Sequence, residues 1–423
     1  MGIFGPRRGP GEPHPRREPR YPGPLTLAGV EEIFRDCVDF TKRPVALEGG
    51  PALTLCYLSG MVKMERVSDY VLRPLAQDKS LAGCTDMGAL MKKMEDGALY
   101  NLSAAERTTL DQAAFDLVSG WCLLFFPGES AVLSFFTGTE EKRSISAPSN
   151  ETVLKGARDA FVESLRTNTS IVRRHIKAPE LRIREQTVGR QSATLVDILY
   201  IEGLTDPALV NRVAGRLAAA RLSDIDIDAV LATGNIEEYI VPAQRTPFPL
   251  LQYTERSDRF CAGLAEGRVG ILIDGLPLGY LAPGVLGDFL RAPQDKSESW
   301  MLATVLTLLR YTCMLLTLLL PALYVAMVTF HQEMIPTKLA LSIIAAKQDV
   351  PFRSAFEVIV LLLAFEILQE AGLRLPQSIG QTVSIIGGLV VGSAAVEAKI
   401  VSPAVLIAVA ISIIVPVAWV FMA

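Results

Sequence analysis

The sequence has few of the side chains that bind metals or build disulfide frameworks. Its 423 residues include only three histidines. Six cysteines are scattered along it with neither a CxxC pair nor a neighbouring pair of histidines, so a zinc site is not indicated. The cysteines are typical of small apolar core residues in a reducing compartment; they are Cys37, Cys56, Cys84, Cys122, Cys261 and Cys313. We therefore expect no metal site and no disulfide.

Motifs of catalysis are missing as well. The sequence contains no Ser/His/Asp arrangement, no phosphate loop and no GxGxxG. The run Asp224–Asp228 imitates the start of a calcium loop, but Ala229 stands where such a loop needs glycine. Its alternation of isoleucine and aspartate predicts a half-buried strand instead. The sequence therefore predicts no enzyme, no catalytic residue and no cofactor.

The first 25 residues lack the apolar segment that a signal peptide or a core would need. Five arginines lie there among many prolines, a composition typical of a disordered tail. Two alternatives stay open for this tail, attraction to anionic lipid headgroups and simple solvation. Without a signal peptide, the soluble part is expected to face the cytosol. The formal net charge of −4 gives no reason to propose nucleic acid as a partner.

Charged residues are scarce in the last third of the chain. From residue 300 to residue 423 there are only six basic and six acidic residues, which predicts an all-α, multi-span membrane domain. Four spans fit its apolar runs: Leu302–Phe330, Pro351–Gly372, a small-residue helix between Leu375 and Val396, and Ile400–Ala423. The run Leu339–Ala346 is too short to cross and is expected to be re-entrant or interfacial.

The third predicted span carries small residues at every fourth position. They are Gly380, Ser384, Gly388 and Gly392, and on a helix they would form one ridge. A ridge of small side chains lets another helix approach closely within a membrane. Two alternatives stay open: packing against a helix of the same chain, and contact between subunits around a shared axis.

Glutamates in the second predicted span carry the most informative chemistry of this domain. A carboxylate at membrane depth is costly unless it faces protein or water, so it marks an ion path or a structural ion pair. Both alternatives stay open for Glu357 and Glu366, which lie nearer the middle of the span. Glu370 and Arg374 are four residues apart, which favours an ion pair at the membrane surface. All four residues are candidates for a role in a pore or its gating.

The soluble part contains one pattern twice. The run from Leu53 to Gly60 matches the run from Val196 to Gly203, and residues 120–128 match residues 267–275 in the same order. Each run is a short apolar strand ending in glycine, and a helix pattern follows the first run of each pair. We therefore predict an α/β soluble region of two duplicated subdomains, at residues 26–142 and 191–295, joined by a linking helical segment at 143–190.

Long stretches of the sequence also resemble a known family. They lie at residues 143–177, 195–213, 246–259, 266–275, 319–343 and 365–396, and they include TPFPLLQYTERSDR and EGRVGILIDG. These stretches resemble the A subunit of the GerA family of spore germination receptors. The resemblance implies a cytosolic region of two α/β subdomains and a helical membrane region in the inner membrane of a bacterial spore.

The same resemblance implies partners and a function. A subunits of this family work with a transporter-like B subunit that senses the nutrient and with a lipoprotein C subunit. Self-associated A subunits would form a ligand-gated ion channel, embedded in membrane lipid, that starts germination. The alternative is a sporulation-specific paralogue that acts as an accessory channel or scaffold without nutrient sensing. Family members continue through further membrane sequence beyond the position of Ala423, so we expect a shorter membrane domain here.

Overall fold

The structure is a computed structural model, and the residues it describes are 20–47, 52–77, 86–98, 103–138, 159–189, 193–219, 240, 249–291, 294–295, 298–374, 387–388, 390 and 392–420. The strand predicted at Asp224–Asp228 lies outside them, and so do Gly380 and Ser384 of the predicted ridge. The chain forms two compact units, Met1–Val285 and Leu286–Ala423, which we call the N-terminal unit and the C-terminal unit.

The first subdomain of the N-terminal unit is a five-stranded antiparallel sheet between two layers of helices. Its strands are β1 (Phe40–Val45), β2 (Leu53–Leu58), β3 (Ala104–Arg107), β4 (Trp121–Phe125) and β5 (Val132–Phe136), in the order β1-β2-β4-β5-β3. Its helices are α1 (Leu27–Ile33), α2 (Met64–Val67), α3 (Arg73–Gln77), α4 (Met87–Lys93) and α5 (Leu110–Val118), with π-helical turns at Ser68–Leu72 and Met94–Ala98. Helices α1 and α5 pack on one face and α2 to α4 on the other. The sheet is therefore buried on both faces, as its near-continuous apolar strands require.

The second subdomain repeats this architecture. Its strands are β6 (Leu181–Val188), β7 (Thr194–Ile201), β8 (Gln252–Thr254), β9 (Val269–Ile273) and β10 (Gly279–Ala282), in the order β6-β7-β9-β10-β8. Its helices are α6 (Leu165–His175), α7 (Pro207–Ala219) and α8 (Ser257–Ala265). Helix α7 packs on one face of the sheet, and α6 and α8 pack on the other.

The two sheets confirm the predicted duplication. Strands β2 and β7, which carry the first pair of matching runs, are second in their sheets, and β4 and β9 are third. The strand register agrees as well, because Leu123 faces Ser134 in one sheet and Gly270 faces Leu281 in the other. The turns after β4 and β9 contain glycines at φ 84° and 83°, a left-handed backbone that favours glycine.

The two subdomains meet through a strand edge and a buried ion pair. The N–H of Val38 donates a hydrogen bond to the carbonyl of Ile183 over 3.0 Å, and Cys37 forms a parallel bridge with Ile183. Next to this bridge, the guanidinium of Arg173 donates two hydrogen bonds, of 2.9 and 3.0 Å, to the carboxylate of Asp39. Arg173 is 1% exposed and Asp39 is 4% exposed, so this pair is part of the protein interior.

The subdomain boundaries differ from the predicted ones. The described part of the predicted linking segment belongs to the second subdomain, since α6 packs on its sheet and β6 pairs with β7 over eight residues. Residues 20–25 of the predicted tail pack against the body of the unit. The backbone N–H groups of Arg20 and Tyr21 donate to Asp111, and the hydroxyl of Tyr21 donates to Glu180. The first subdomain therefore starts before residue 26.

The cysteines that the structure describes are all free. Burial raises the pKa of the Cys56, Cys122 and Cys261 thiols to about 12. Since the thiolate is the reactive form, these three side chains remain protonated and behave as small apolar residues.

The described secondary-structure elements of the C-terminal unit are all helical. It contains α9 (Leu286–Leu290), α10 (Trp300–Thr329), α11 (Thr337–Lys347), α12 (Ser354–Arg374) and α13 (Pro403–Val420), with a 3-10 turn at Gln332–Met334 and further helical residues between 387 and 397. Valines and leucines of α12 and α13 form its core, with Tyr324 and Val325 of α10 packed against them. Among the described residues, only α10 is long and apolar enough to cross a membrane, by length and composition. The prediction of further spans stays a prediction.

Candidate functional site

A buried carboxylate, that of Glu357, joins three helix ends in the C-terminal unit. It lies in the first turn of α12, and 1% of its residue surface is exposed. The backbone N–H of Ser402, just before α13, donates a 2.8 Å hydrogen bond to its Oε2 atom. The Nζ atom of Lys347, in the last turn of α11, lies 3.3 Å from its Oε1 atom. Glu357 therefore connects the end of α11 to the starts of α12 and α13.

The local sequence explains this arrangement. Lys347 ends α11 and Ser354 begins α12 after a short turn, and the ammonium of Lys347 donates to the hydroxyl of Ser354. Glu357 follows Ser354 by three positions, so both side chains lie on one face of α12. At α13 the first helical residue is Pro403, which has no N–H of its own. The carboxylate therefore meets the N–H of Ser402 at the positive end of the helix dipole.

These contacts give Glu357 the surroundings of a structural ion pair. A buried carboxylate is costly unless a cation and hydrogen-bond donors compensate it, and Glu357 has one of each. It lies at one end of α12 and not near the middle, because the helix begins only at Ser354. The sequence did not reveal its partners: Lys347 is ten positions away, across a turn, and Ser402 is 45 positions away.

Glu366 has different surroundings, halfway along the same helix. Its side chain is exposed, and no basic side chain among the described residues pairs with it. It lines a pocket of about 370 Å³ whose other walls are almost entirely apolar: Ile359, Leu362, Leu363, Phe365, Gln369 and Ile413. Of the predicted glutamates, Glu366 is the one left available to a cation from outside the chain.

Glu370 and Arg374 form the ion pair that their spacing predicts. The Nη2 atom of Arg374 lies 2.7 Å from Oε1 of Glu370, and both side chains are largely exposed. An exposed pair of this kind contributes at most about 1 kcal/mol to stability. It therefore fits the end of a helix at a polar surface.

The described members of the small-residue ridge face helices of the same chain. A Cβ atom at Gly388 would lie 3.7 Å from Phe365 of α12, and one at Gly392 would lie 3.4 Å from Leu406 of α13. The closest approach occurs one position earlier, because a Cβ at Gly387 would lie only 2.6 Å from Leu368. Helices of the same chain therefore pack against this side of the helix. The glycine with the closest contact, Gly387, is not one of the small residues at every fourth position.

A second buried ion pair of the C-terminal unit links Arg310 of α10 to Asp295, which precedes the helix. Arg310 is 5% exposed, and its Nη2 atom donates a 2.9 Å hydrogen bond to Asp295. Its Nη1 atom also donates to the carbonyl of Leu290 over 3.2 Å. The single charge of the first predicted span is therefore neutralised by a residue that precedes the span.

The N-terminal unit brings together a serine, a histidine and an aspartate that lie far apart in the sequence. The Nε2 atom of His175 is 3.1 Å from the hydroxyl of Ser257 and 3.6 Å from a carboxylate oxygen of Asp159. A catalytic triad needs the aspartate on one ring nitrogen and the serine on the other. Here both neighbours meet the same nitrogen, and Ser257 is fully buried. The group has the geometry of a packing contact.

Comparisons with known proteins give a family match over most of the chain and several similar proteins. Residues 28–419 match the family model described as Bacillus/Clostridium GerA spore germination protein. Spore germination protein KA of Bacillus subtilis (strain 168) is 38% identical over 362 residues, which are 86% of this chain and 65% of that protein. Spore germination protein GerLA of Bacillus cereus is 35% identical over 379 residues, which are 89% of this chain and 75% of that protein.

Two further proteins complete the comparison. The uncharacterized membrane protein YfkQ of Bacillus subtilis (strain 168) is 37% identical over 386 residues, which are 91% of this chain and 73% of that protein. The crystal structure of the N-terminal domain of the A subunit of the Bacillus megaterium spore germinant receptor GerK3 is 30% identical, with a TM-score of 0.47. That match covers 62% of this chain and 94% of the GerK3 chain.

Proposed function

Because the chain belongs to the Bacillus/Clostridium GerA family of spore germination proteins, we propose that it is the A-type subunit of a nutrient-responsive germination receptor. The observation that carries this proposal is the extent of the family match. It runs from residue 28 to residue 419, so it includes both the duplicated α/β subdomains and the helical C-terminal unit. The role is that of a receptor component and not of an enzyme.

The C-terminal unit would anchor the protein in the inner spore membrane, with the N-terminal unit in the cytosol. Helix α10 has 30 residues, about 45 Å at 1.5 Å per residue, which exceeds a hydrocarbon core of about 30 Å. Large apolar side chains along it are exposed in the single chain, among them Leu308, Leu318 and Leu319. Such a surface requires lipid or other membrane helices around it.

Ion conduction would require several copies of the chain around an axis, because the four predicted spans of one chain would leave little room for a wide aqueous path. Glu366 would then face the water of the shared path, since it is exposed and no basic side chain in the described part of the chain pairs with it. Glu357 would hold the ends of α11, α12 and α13 in place. Gly388 and Gly392 would let the helices pack tightly enough for the path to close.

Partners follow from the same role. A transporter-like B-type subunit would sense the nutrient and a C-type lipoprotein would complete the receptor. The alternative is a sporulation-specific A-type paralogue that works as an accessory channel or scaffold. One similar protein, YfkQ, is named only as a membrane protein, so family membership alone leaves this alternative in place.

The test is made in spores of a host from which the chain's own gene has been removed. A tagged copy restores the protein, and the membrane fraction is examined for B-type and C-type subunits that co-purify with it. For a receptor subunit we expect both partners in the purified complex and loss of nutrient-triggered germination in the deletion strain. A chain that purifies without either partner, in spores that germinate equally well without it, would contradict the receptor role and support the accessory one.

A further inference from the structure

A groove opens beside the end of α10, away from the pocket that contains Glu366. Its volume is about 910 Å³. One wall is the last turns of α10, the second is one face of α11, and the third is the turn that leads into α12. Representative residues of the three walls are Val328, Ile343 and Phe352. Most of its lining is aliphatic or aromatic, so its occupant has a long apolar part.

The charged groups of the groove all carry the same sign. Lys347 and Arg353 line it, and among the described residues no carboxylate does. Lys347 is already engaged by Glu357 and Ser354, but Arg353 pairs with no carboxylate among the described residues. Arg353 is exposed at the turn before α12, where its guanidinium remains free for an anion.

The groove also has the position that a lipid requires. It lies where α10, the helix of membrane-spanning length, ends, and α11 with 11 residues is too short to cross. Helix ends of this kind lie at the level of the lipid headgroups, where Arg and Lys attract anionic lipids. A guanidinium can hold a phosphate through two parallel N–H···O bonds.

We propose that this groove binds one anionic phospholipid, with an acyl chain between α10 and α11 and its phosphate at Arg353. A polar nutrient does not match the apolar walls, and a second copy of the chain would have to offer a carboxylate on an apolar segment. The inference depends on the membrane placement under the proposed function, but not on ion conduction or on nutrient sensing.

The experiment uses the full chain in phosphatidylcholine vesicles that contain a phosphatidylglycerol with a photoactivatable acyl chain. Flotation of the vesicles first measures membrane insertion, and labelled peptides are then mapped by mass spectrometry. We expect label within residues 325–355, competed by unlabelled phosphatidylglycerol and not by phosphatidylcholine. Failure of flotation would overturn the membrane placement itself and this proposal with it.

Two matched pairs of variants separate the groove from the general lipid surface. Ala340 lines the groove and Ala345 lies on α11 outside it, so A340L should reduce the label in the groove while A345L should not. Arg353 lines the groove and Lys338 does not, so R353Q should weaken competition by phosphatidylglycerol and K338Q should leave it unchanged. The expected loss for R353Q is about tenfold, the size of one charge-assisted contact.

Each other outcome overturns a stated part of the proposal. Label spread evenly along α10 and unaffected by A340L would mean that the groove binds no specific lipid. If phosphatidylcholine competed as well as phosphatidylglycerol, and R353Q did not change the competition, the phosphate would not be bound at Arg353. If A340L changed the oligomeric state in detergent and left the labelling unchanged, the groove would be an interface between copies of the chain.

Discussion

The two α/β subdomains have the same strand order and register, but equivalent contacts between a helix and the sheet are made by different side chains. In the first, the carboxylate of Asp116 on α5 accepts a 2.6 Å hydrogen bond from Ser134 on β5 and a 2.7 Å hydrogen bond from Arg107. At the corresponding places of the second subdomain stand Gly263 on α8 and Leu281 on β10. A Cβ at Gly263 would lie only 2.4 Å from Leu281.

This difference shows how a helix can be held on the same sheet in two ways. The first subdomain uses a buried carboxylate whose donors compensate its loss of water. The second removes the side chain from the helix, and the freed volume is filled by a leucine that is fully buried. Strand order and register are the same in both subdomains, so the framework tolerates both solutions.

A second difference lies on the neighbouring strand. Asp197 on β7 is fully buried, and it occupies the place that Thr54 has on β2. Its Oδ2 atom accepts a 3.0 Å hydrogen bond from Thr169 on α6, and Arg166 lies 3.7 Å away. Burial raises the pKa of the Asp197 carboxyl to about 6, although Arg166 and Thr169 act in the opposite direction. The second subdomain therefore carries an acid that titrates near neutral pH, and the first has threonine there.

The largest expected effect comes from breaking the buried ion pair between the two subdomains. In Asp39→Ala the guanidinium of Arg173 would stay buried without its acid, which costs about 3–5 kcal/mol. Urea unfolding of the full chain in detergent measures this loss. The control is Asp69→Ala, which removes an exposed ion pair with Arg73 and should cost less than about 1 kcal/mol. Equal losses for the two variants would mean that the buried pair does not hold the subdomains together.

The next effect is a pH dependence of stability that comes from Asp197 in the second subdomain. An unfolded aspartate has a pKa of about 3.9, and Asp197 has about 6 in the fold. The fold therefore binds its proton more strongly, and its contribution to stability is complete below about pH 4 and is lost as the pH rises to about 6. The total is roughly 3 kcal/mol, from about 1.4 kcal/mol per pKa unit.

The measurement is the free energy of unfolding between pH 4 and pH 7, compared with Asp197→Asn. The variant should lack this fall in stability, because asparagine does not titrate. Parallel curves for the two proteins would show that Asp197 does not carry the effect.

The contact between α8 and β10 in the second subdomain should not accommodate even one added methyl group. Gly263→Ala places a Cβ against Leu281, which is fully buried and has no room to move, and should cost about 1–3 kcal/mol. Hydrogen exchange of the α8 amides in the full chain detects this as easier local opening. Gly215→Ala on α7 is the matched control, since a Cβ there meets nothing within 4 Å and should stabilise by about 0.5–1 kcal/mol. A gain in protection in both variants would refute the close contact.

The smallest expected effects concern two turns that should be equivalent in the two subdomains. Gly128→Ala and Gly275→Ala both place a side chain on a left-handed backbone in open space, and each should cost about 1 kcal/mol. Thermal unfolding should give the same shift for both, because the turns are equivalent. Costs that differ by more than about 0.5 kcal/mol, the usual limit for independent sites, would indicate that the turns are not equivalent.

Sequence reasoning found the features that depend on neighbouring residues. Apolar runs that end in glycine located the paired strands β2 and β7 and the duplication, and the spacing of four located the Glu370–Arg374 pair. Strand β6 was missed. Its apolar residues Leu181 and Ile183 alternate as in a strand, but the helical pattern before them led us to predict a single helical linking segment.

Features that depend on distant residues were not accessible in this way. Arg173 and Asp39 are 134 positions apart, and Glu357 and Ser402 are 45 apart, so only the fold brings them together. The position of Glu357 was misjudged for the same reason. Its depth was estimated from the length of an apolar run, whereas it lies in the first turn of α12 and is buried between the end of α11 and the start of α13.

The most direct test of the proposed function is ion release from vesicles that contain the chain with its B-type and C-type partners. Glu366→Gln removes the charge of an exposed carboxylate but keeps the size of the side chain, and Glu333→Gln removes an exposed charge from the turn after α10. We predict that nutrient-triggered cation release falls in the Glu366 variant, with assembly unchanged, and remains normal in the Glu333 variant. Unchanged release in the Glu366 variant would contradict its place on the ion path, and absence of any triggered release from the assembled wild-type complex would contradict the channel itself.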